Sequence, residues 1–434
     1  MNSSPDSGSL QRVVGVRALG LNLVNLTIGS AIFGLPALVA AMLGTAAVVA
    51  YLVCAVLFGL VGLCFAEAGS RVGSAGGLYA YATTSFGPVA GGVAGTLLWV
   101  ASGASADAAI ANLLLDTLGT VQPVLTEPWI RATFLILLFA IVAAVNIRGV
   151  HYGVRLSMLI TLIKIAPLVL LVIVGAFFVD PTRLAWTGMP SIQSVGEASV
   201  LVFYAFMGLE AALSMSGEIK RPSRTVPRGI LMGLLIIATL YIGLQLVSQG
   251  TLGEALKDSK APLLDAAKIV LGPWGGALLI ATVALSASGC IAADVLSTPR
   301  VLFAFAEQGQ LPRRVAAVHP RFATPASAIA VYSVVCTALA VSGSFRQLAI
   351  VSSSGTLILY MICCLGVLRL RARKVMHDAE TFVAPGGPVV PLLAAGIIAY
   401  LLLSLSWQEI AAAFAFVAVT ALAFYIVQRR RRAQ

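Results

Sequence analysis

Four ionisable side chains stand in stretches of the sequence that are otherwise almost wholly apolar. Lys164 and Glu210 lie among large aliphatic and aromatic residues, whereas Asp107 and Asp294 lie among alanine, serine and glycine. An ionised side chain inside a membrane helix costs about 2.5 to 3.5 kcal/mol on insertion scales. Such residues usually hold an ion, a proton or a charged ligand, so these four positions are the first candidates for function.

Each of the four residues also has a simpler interpretation. Lys164 lies one to two turns inside its apolar segment, so its ammonium group can also reach the cytoplasmic interface along its own stem. Glu210 either binds and releases a proton as part of a gate, or stays neutral and donates a hydrogen bond that holds its own unwound segment in place. Asp107 and Asp294 either pair with a cationic ligand such as lysine, ornithine, arginine or a diamine, carry a proton, or pair with a polar neighbour on another helix.

Two of the apolar segments are interrupted. Gly29, Gly34 and Pro36 interrupt the first apolar segment of the chain, at residues 18–41. Gly208 interrupts the sixth, at residues 195–217. Free N–H groups at such a break can hold a carboxylate, and free carbonyl groups can hold an ammonium group or a cation. The alternative is that these residues only ease helix packing. Interruptions at corresponding places of two halves predict a ligand site at the midplane of a membrane.

Membrane helices are the elements that must position these residues. Of the 434 residues, 59% are apolar and only 10% are charged, and the mean hydropathy is +0.98. In a soluble domain about a quarter of the residues are charged. This chain therefore has too few charged residues to cover a surface that faces water. The composition excludes a soluble enzyme, a nucleic-acid-binding protein and a disordered scaffold.

Twelve apolar segments are long enough to cross a bilayer, which takes about 20 residues in a helix. Residues 18–66 contain no Asp, Glu, Lys or Arg, which leaves room for two helices joined at 44–45. The segments lack the two-residue period of barrel strands, so the predicted fold is an all-α polytopic membrane protein. Its twelve spans are residues 18–41, 46–66, 89–118, 129–148, 155–178, 195–217, 229–249, 274–304, 325–343, 347–369, 388–405 and 408–427.

The basic residues predict the orientation of the chain. Twenty-one of the 28 Lys and Arg residues flank alternate loops, and six flank the others. The positive-inside rule therefore places both termini in the cytoplasm, and the net charge of +11 indicates anionic membrane lipid as a partner, with no nucleic acid. The predicted regions are a cytoplasmic tail at 1–17, spans 1 to 5 at 18–178, spans 6 to 10 at 190–370, spans 11 and 12 at 386–428, and a basic tail at 429–434.

Cysteine and histidine give no sign of redox, metal or enzyme chemistry. All six cysteines fall within predicted helices, where they are interpreted as small apolar packing residues rather than as a disulfide framework. His151, His319 and His377 fall in cytoplasmic loops, so no histidine at membrane depth is available for a metal or a catalytic pair. We therefore expect no metal, no cofactor and no enzyme activity.

Several motifs together resemble those of the amino acid, polyamine and organocation (APC) transporters. Residues 28–36 read IGSAIFGLP, close to the family's G-S/A-G-I-F signature, with Ala31 in place of its second glycine. The further matches, in family order and spacing, lie at residues 66–67, 74–81, 203–210, 218–228, 298–304 and 309–312. The resemblance covers spans 1 to 10.

The resemblance implies a LeuT-type fold, in which spans 1 to 5 and 6 to 10 form a 5+5 inverted repeat with broken helices 1 and 6. The substrate carboxylate would lie on the backbone amides of residues 29–31, and the α-ammonium group on carbonyl groups at Thr27 and at residues 204–207. Tyr204 would close over the substrate as a lid. The implied substrate-binding residues are Thr27, Gly29, Ser30, Ala31, Tyr204, Ala205, Met207 and Gly208, joined by Asp107 and Asp294.

The resemblance also suggests coupling and gating residues. In some family members a lysine at the place of Lys164 replaces a sodium ion, contacting span 1 carbonyls and a span 8 hydroxyl, for which Ser286 and Ser288 are the candidates. That lysine could also release a proton during the cycle. Glu210 corresponds to the acid of span 6. In addition, Glu67 and Glu218 lie at arginine-rich cytoplasmic helix ends and are predicted to form gate salt bridges.

The predicted function is secondary transport of amino acids, with cationic amino acids and amines among the candidates, across the cytoplasmic (inner) membrane. The transport is expected to be independent of sodium and either coupled to protons or an exchange. It would proceed by alternating access, as the bundle of spans 1, 2, 6 and 7 rocks against spans 3, 4, 8 and 9. A channel and, less well supported, a membrane enzyme are the alternatives. The sequence contains no repeated ring of acids or carbonyl loops, which a channel would favour.

Overall fold

The computed structural model describes residues 15–72, 77–148, 154–186, 188–210, 222–307, 309–322, 324–376 and 381–432. Predictions that concern Glu218, His151, His377 and the second half of span 6 lie outside the described residues.

All regular elements in these ranges are helical, and no strand occurs in them. The α-helices are α1 Val16–Thr27, α2 Leu35–Leu43, α3 Val48–Val72, α4 Gly77–Phe86, α5 Pro88–Leu97, α6 Ala106–Gly119, α7 Pro128–Ile147, α8 Val154–Gly175, α9 Ile192–Phe206, α10 Pro222–Leu252, α11 Pro262–Leu271, α12 Pro273–Ser297, α13 Pro299–Glu307, α14 Ala326–Ser342, α15 Phe345–Ala372, α16 Val389–Leu403 and α17 Trp407–Arg432. Short 3₁₀ turns are Ala31–Phe33, Gly44–Ala46, Pro123–Thr126, Ala176–Phe178, Pro181–Leu184, Gly253–Asp258 and Arg313–Ala316. A π-helical stretch, Leu98–Ser105, joins α5 to α6, so that residues 88–119 form one helix.

Seven helices in the described ranges are long and apolar enough to cross a membrane. Five shorter apolar helices accompany them, at Leu35–Ala46, Ile163–Phe178, Ile192–Phe206, Ala326–Ser342 and Val389–Leu403. Three of these lie within the predicted spans 5, 9 and 11, whereas Leu35–Ala46 and Ile192–Phe206 overlap spans 1 and 6 and extend beyond them by five and three residues. An all-helical chain with several membrane-crossing helices is thus confirmed, whereas the number twelve and the inverted repeat stay predictions.

The predicted eighth span, residues 274–304, lies within one stretch of membrane-crossing length, Pro273–Glu307. Within this stretch α12 ends at Ser297 and a second helix, α13, begins at Pro299. Proline lacks the N–H group that a continuing helix needs, so it starts a new helix instead. The short helices α4, α11 and α13 were not predicted, because each has ten residues or fewer and gives no membrane-length signal.

The helices pack in two groups that meet at the interrupted helices. α1 packs most extensively against α10, α10 against α3, and α3 against α9, which groups spans 1, 2, 6 and 7. α7 packs against α14, and α12 packs against both α6 and α7, which groups spans 3, 4, 8 and 9. α15 contacts both groups through α3 and α6. The grouping matches the two bodies that were predicted to move against each other.

Candidate functional site

The first break opens between α1 and α2. α1 ends at Thr27, Ile28 leaves the helical region (φ −74°, ψ 81°), and only the turn Ala31–Phe33 precedes α2. The N–H groups at the start of a helical turn have no partner within it. The buried hydroxyl groups of Thr27 and Ser30 have no hydrogen-bond partner in the described structure. The break therefore offers donors and hydroxyls to a ligand.

The second break follows α9 and rests on the end of α1. The backbone is extended at Met207 (φ −63°, ψ 154°) and left-handed at Gly208 (φ +125°). A Cβ atom on Gly208 would lie 3.1 Å from the backbone C and O atoms of Leu26 and 3.1 Å from Oγ1 of Thr27. The Gly208 N–H group donates to Oε2 of Glu210 at 3.2 Å. Glycine is required here because the two broken helices touch through their backbones.

Tyr241, on α10, links the two breaks. Its hydroxyl oxygen lies 3.0 Å from the carbonyl oxygen of Thr27 and 2.9 Å from that of Ala205, so it donates to one of them at a time. One turn further along α10, Gln245 lies within 3.2 Å of the Tyr51 hydroxyl. Sequence reasoning missed Tyr241, although a tyrosine followed four residues later by glutamine in an apolar span indicates a polar stripe on one helix face.

We expect Tyr241→Phe to lower substrate affinity about tenfold, or about 1.4 kcal/mol, because two buried carbonyl groups lose their shared donor. The matched control is Tyr400→Phe, which removes a hydroxyl that donates to the carbonyl of Ile192 at 2.6 Å away from the breaks. Substrate-dependent stabilisation of the purified protein measures the affinity. Equal affinities for both variants and the wild type would exclude a role for the Tyr241 hydroxyl at the site.

Lys164 reaches the first broken helix. Its buried Nζ atom donates to the carbonyl oxygen of Asn25 at 2.6 Å, as the sodium-replacing lysine was predicted to do. On α12 its neighbour is Cys290, with which it interacts electrostatically. Ser286 is buried one turn before Cys290 on the same helix face. Ser288 is exposed, and the structure does not bring it to Lys164.

Three acidic side chains belong to the same region, and two of them, Asp107 and Asp294, interact electrostatically with Cys290. Asp107 is completely buried, and its Oδ2 atom accepts a hydrogen bond of 2.9 Å from Tyr332. Asp294 is partly exposed and interacts directly with Asp107 and more weakly with Glu210. Glu210 accepts hydrogen bonds from the Gly208 N–H group and from the Tyr360 hydroxyl. Within the described residues, none of the three acids forms a salt bridge.

Tyr204 lies in the last turn of α9, directly before the second break. Its side chain is buried, its ring lies edge-on to Phe345 with centroids 5.9 Å apart, and its hydroxyl donates to the carbonyl oxygen of Ala106 at 2.7 Å. Ala106 directly precedes Asp107, so the expected lid is tied to the helix that carries the buried acid.

Glu67 joins two helices at a distance from the breaks. It is fully buried and pairs with Arg71 at 2.9 Å within α3 and with Nε of Arg371, at the end of α15, at 2.7 Å. The second oxygen of Glu67 accepts from Nη2 of Arg371 and from the backbone N–H group of Ala384, the latter at 2.9 Å. The predicted salt bridge at Glu67 is therefore present, and it ties α3 and α15 together.

The remaining predicted residues lie around this cluster. Ala31 and Met207 are buried, and the Met207 sulfur accepts from the Ser352 hydroxyl at 3.7 Å. A methyl group on Gly29 would lie 3.6 Å from the sulfur of Cys290, so α12 faces the first break there. The structure adds four residues that the sequence analysis did not name as site residues: Tyr241, Cys290, Tyr332 and Tyr360. The described residues contain no group of three His, Cys, Asp or Glu side chains that could hold a metal ion.

A family model agrees with nearly the whole chain. The model for amino acid permeases matches residues 14–429, which include both breaks, Lys164 and the acidic cluster.

Three relatives span most of the chain. A methylthioribose transporter from Bacillus subtilis (strain 168) is 28% identical to it over 99% of this chain and 96% of the relative. A branched-chain amino acid permease from Lactococcus lactis subsp. cremoris (strain MG1363) is 30% identical over 87% of this chain and 85% of the relative. A serine/threonine exchanger from Bacillus subtilis (strain 168) is 27% identical over 90% of each chain.

Proposed function

The chain belongs to the amino acid permease family, and on this premise we propose that it carries amino acids across the cytoplasmic membrane by alternating access. The protein is a multi-pass membrane protein of the APC superfamily. The proposed orientation places both termini in the cytoplasm, as the distribution of Lys and Arg predicts.

The observation that carries the proposal is the direct contact of the two breaks. Gly208 rests on the last turn of α1, and Tyr241 bridges the carbonyl groups of Thr27 and Ala205. A zwitterionic ligand needs donors for its carboxylate and acceptors for its ammonium group. The turn that begins at Ala31 supplies N–H donors, and the carbonyl group of Ala205 supplies an acceptor, since it has a second lone pair beside the one that faces Tyr241. The carbonyl group of Thr27 also accepts from the Gly29 N–H group at 2.8 Å, so a ligand would share that acceptor.

The same geometry suggests how the substrate site would close over a bound ligand. A ligand that binds both breaks joins α1 to α9, and it can drive a conformational change only if it binds the occluded state more tightly than the open states. Tyr204, held edge-on to Phe345 by its bond to the Ala106 carbonyl, is placed to seal such a state. Reopening would follow from the group of spans 1, 2, 6 and 7 moving against the group of spans 3, 4, 8 and 9.

The compounds to test as substrates follow from the named relatives and from the two aspartates of the site. The named relatives support branched-chain amino acids, serine and threonine, and methylthioribose belongs in the panel because of the first relative. Lysine, ornithine, arginine and diamines are further candidates, because a cationic side chain can pair with the partly exposed Asp294. We propose a neutral amino acid as the principal substrate, since the acids interact with each other.

Uptake of radiolabelled compounds into proteoliposomes tests the proposed function. We expect saturable uptake of at least one amino acid, accelerated by unlabelled substrate on the opposite side of the membrane. A flux that rises linearly with concentration and shows no acceleration by exchange would indicate a channel. Absence of amino acid uptake, together with transport of methylthioribose, would overturn the proposed substrate class.

A further inference from the structure

Two carboxyl groups, those of Asp107 and Asp294, face each other inside the helix group formed by α6 and α12. Asp107 has no exposed surface, one of its oxygens accepts from Tyr332, and the other has no hydrogen-bond partner in the described structure. The carboxyl group of Asp294 lies close enough to act as a direct hydrogen-bonding neighbour. Asp294 is partly exposed, so it is the less buried member of the pair.

Among the described residues, the surroundings of this pair supply no positive charge that would neutralise two carboxylates. The titratable groups that face it in the described structure are Tyr204, Glu210, Cys290, Tyr332 and Cys336. None of these groups can carry a positive charge, and the ammonium group of Lys164 donates to the carbonyl oxygen of Asn25. Two carboxylates in contact in a buried site cannot both stay ionised, because their repulsion adds to the loss of hydration.

We propose that Asp107 and Asp294 bind one proton between them and that this proton moves with the amino acid in each transport cycle. The inference rests on the proposed function and adds the coupling ion to it.

A proton fits this pair better than a ligand's cationic side chain does. Tyr332 already occupies Oδ2 of Asp107, and the complete burial of that side chain leaves no surface for an ammonium or guanidinium group. A proton needs only the unpaired oxygen of Asp107, and the less buried carboxyl group of Asp294 is the neighbour through which it would arrive. The pair also adjoins the lid, because Tyr204 donates to the carbonyl group of the residue before Asp107. Lid closure and proton occupancy therefore act on the same turn of α6.

The test uses the full chain in proteoliposomes with the membrane potential clamped to zero. Two quantities are measured for the best amino acid substrate: exchange at equal pH, and accumulation driven by an inward gradient of one pH unit. Coupling to one proton gives about tenfold accumulation under that gradient. The variants are Asp107→Asn and Asp294→Asn. The control is Asp116→Asn, an acid on the same helix that is partly exposed and pairs with Arg131 at 2.7 Å.

We expect wild type and Asp116→Asn to show about tenfold accumulation, and both amide variants of the pair to lose it. The accumulation of each variant is compared with its own rate of exchange at equal pH. Tyr332→Phe removes only the hydroxyl group that stabilises the ionised form of the pair. This variant should still accumulate the substrate, with the pH dependence of accumulation shifted to higher pH. That variant keeps the test valid if an amide variant does not fold.

Three outcomes would overturn the inference. If the wild type exchanges amino acids but does not respond to the proton gradient, the pair does not couple protons, and the proposed function stands. If the amide variants keep gradient-driven accumulation of a neutral substrate but lose affinity for lysine, the pair binds a cationic side chain instead. If the wild type exchanges no amino acid at all, the proposed function itself fails.

Discussion

Lys164→Ala is expected to abolish net amino acid transport while the protein still inserts and purifies as a folded species. The Lys164 ammonium group donates to the Asn25 carbonyl at 2.6 Å, in the last turns of α1 before the first break. A buried hydrogen bond from a charged group contributes about 1.5 to 3 kcal/mol, so its loss lowers the rate about a hundredfold at the upper value. Initial uptake rates into proteoliposomes measure the effect.

The matched control is Lys268→Ala. Lys268 lies on α11, is about half exposed, and pairs with Asp265 at 3.4 Å. An exposed pair of this kind contributes little to stability, so this variant should transport like the wild type.

Sodium gives the complementary measurement. Because Lys164 is proposed to take the place of a sodium ion, replacing external sodium by choline should leave uptake by the wild type unchanged. Uptake that requires a sodium gradient, together with wild-type rates for Lys164→Ala, would show that this lysine only extends towards the interface.

Gly208→Ala is expected to lose substrate binding and to reduce the stability of the folded protein. The backbone at Gly208 has a φ of +125°, where a residue with a side chain costs about 1 to 3 kcal/mol. The added Cβ atom would also lie 3.1 Å from the backbone of Leu26, and this neighbour cannot rotate away as a side chain could. Overpacking of this kind lowers the free energy of unfolding by a further amount of about 1 to 3 kcal/mol.

Gly29→Ala is the matched variant on the other break. A Cβ atom there has ordinary contact with the Cys290 sulfur at 3.6 Å, and the backbone of Gly29 is not left-handed. We therefore expect Gly29→Ala to fold like the wild type, whereas leucine at either position should block the site. Thermal unfolding in detergent, with and without substrate, separates stability from binding. If Gly208→Ala matched the wild type in both measurements, the contact between the breaks would not matter for function.

Much of the fold could be predicted because its signals are local. Length and hydropathy identify a membrane helix without reference to the rest of the chain, so the helical class and most helix positions followed directly. Gly29 and Gly208 interrupt apolar segments, and the structure has its breaks beside them. Lys164 was identifiable for the same reason, since a single cation in an apolar helix needs a partner.

Other features could not be predicted because they depend on helix rotation and on contacts between distant segments. Ser286 and Ser288 look equivalent in the sequence, but two residues turn a helix by more than half a revolution. Only the buried Ser286 shares a face with Cys290, the actual neighbour of Lys164, while Ser288 is exposed.

The sequence by itself determined that this protein is a membrane-embedded helical carrier with two interrupted helices and a buried lysine, because hydropathy, glycine and charge act within one segment. Only the tertiary structure decided what meets at the breaks. Tyr241 is 214 residues from Thr27 and 36 residues from Ala205, yet its hydroxyl bridges their carbonyl groups. The contact between Asp107 and Asp294 likewise arises only when α6 packs on α12. Such pairings depend on the packing of whole helices, which no single segment of the sequence specifies.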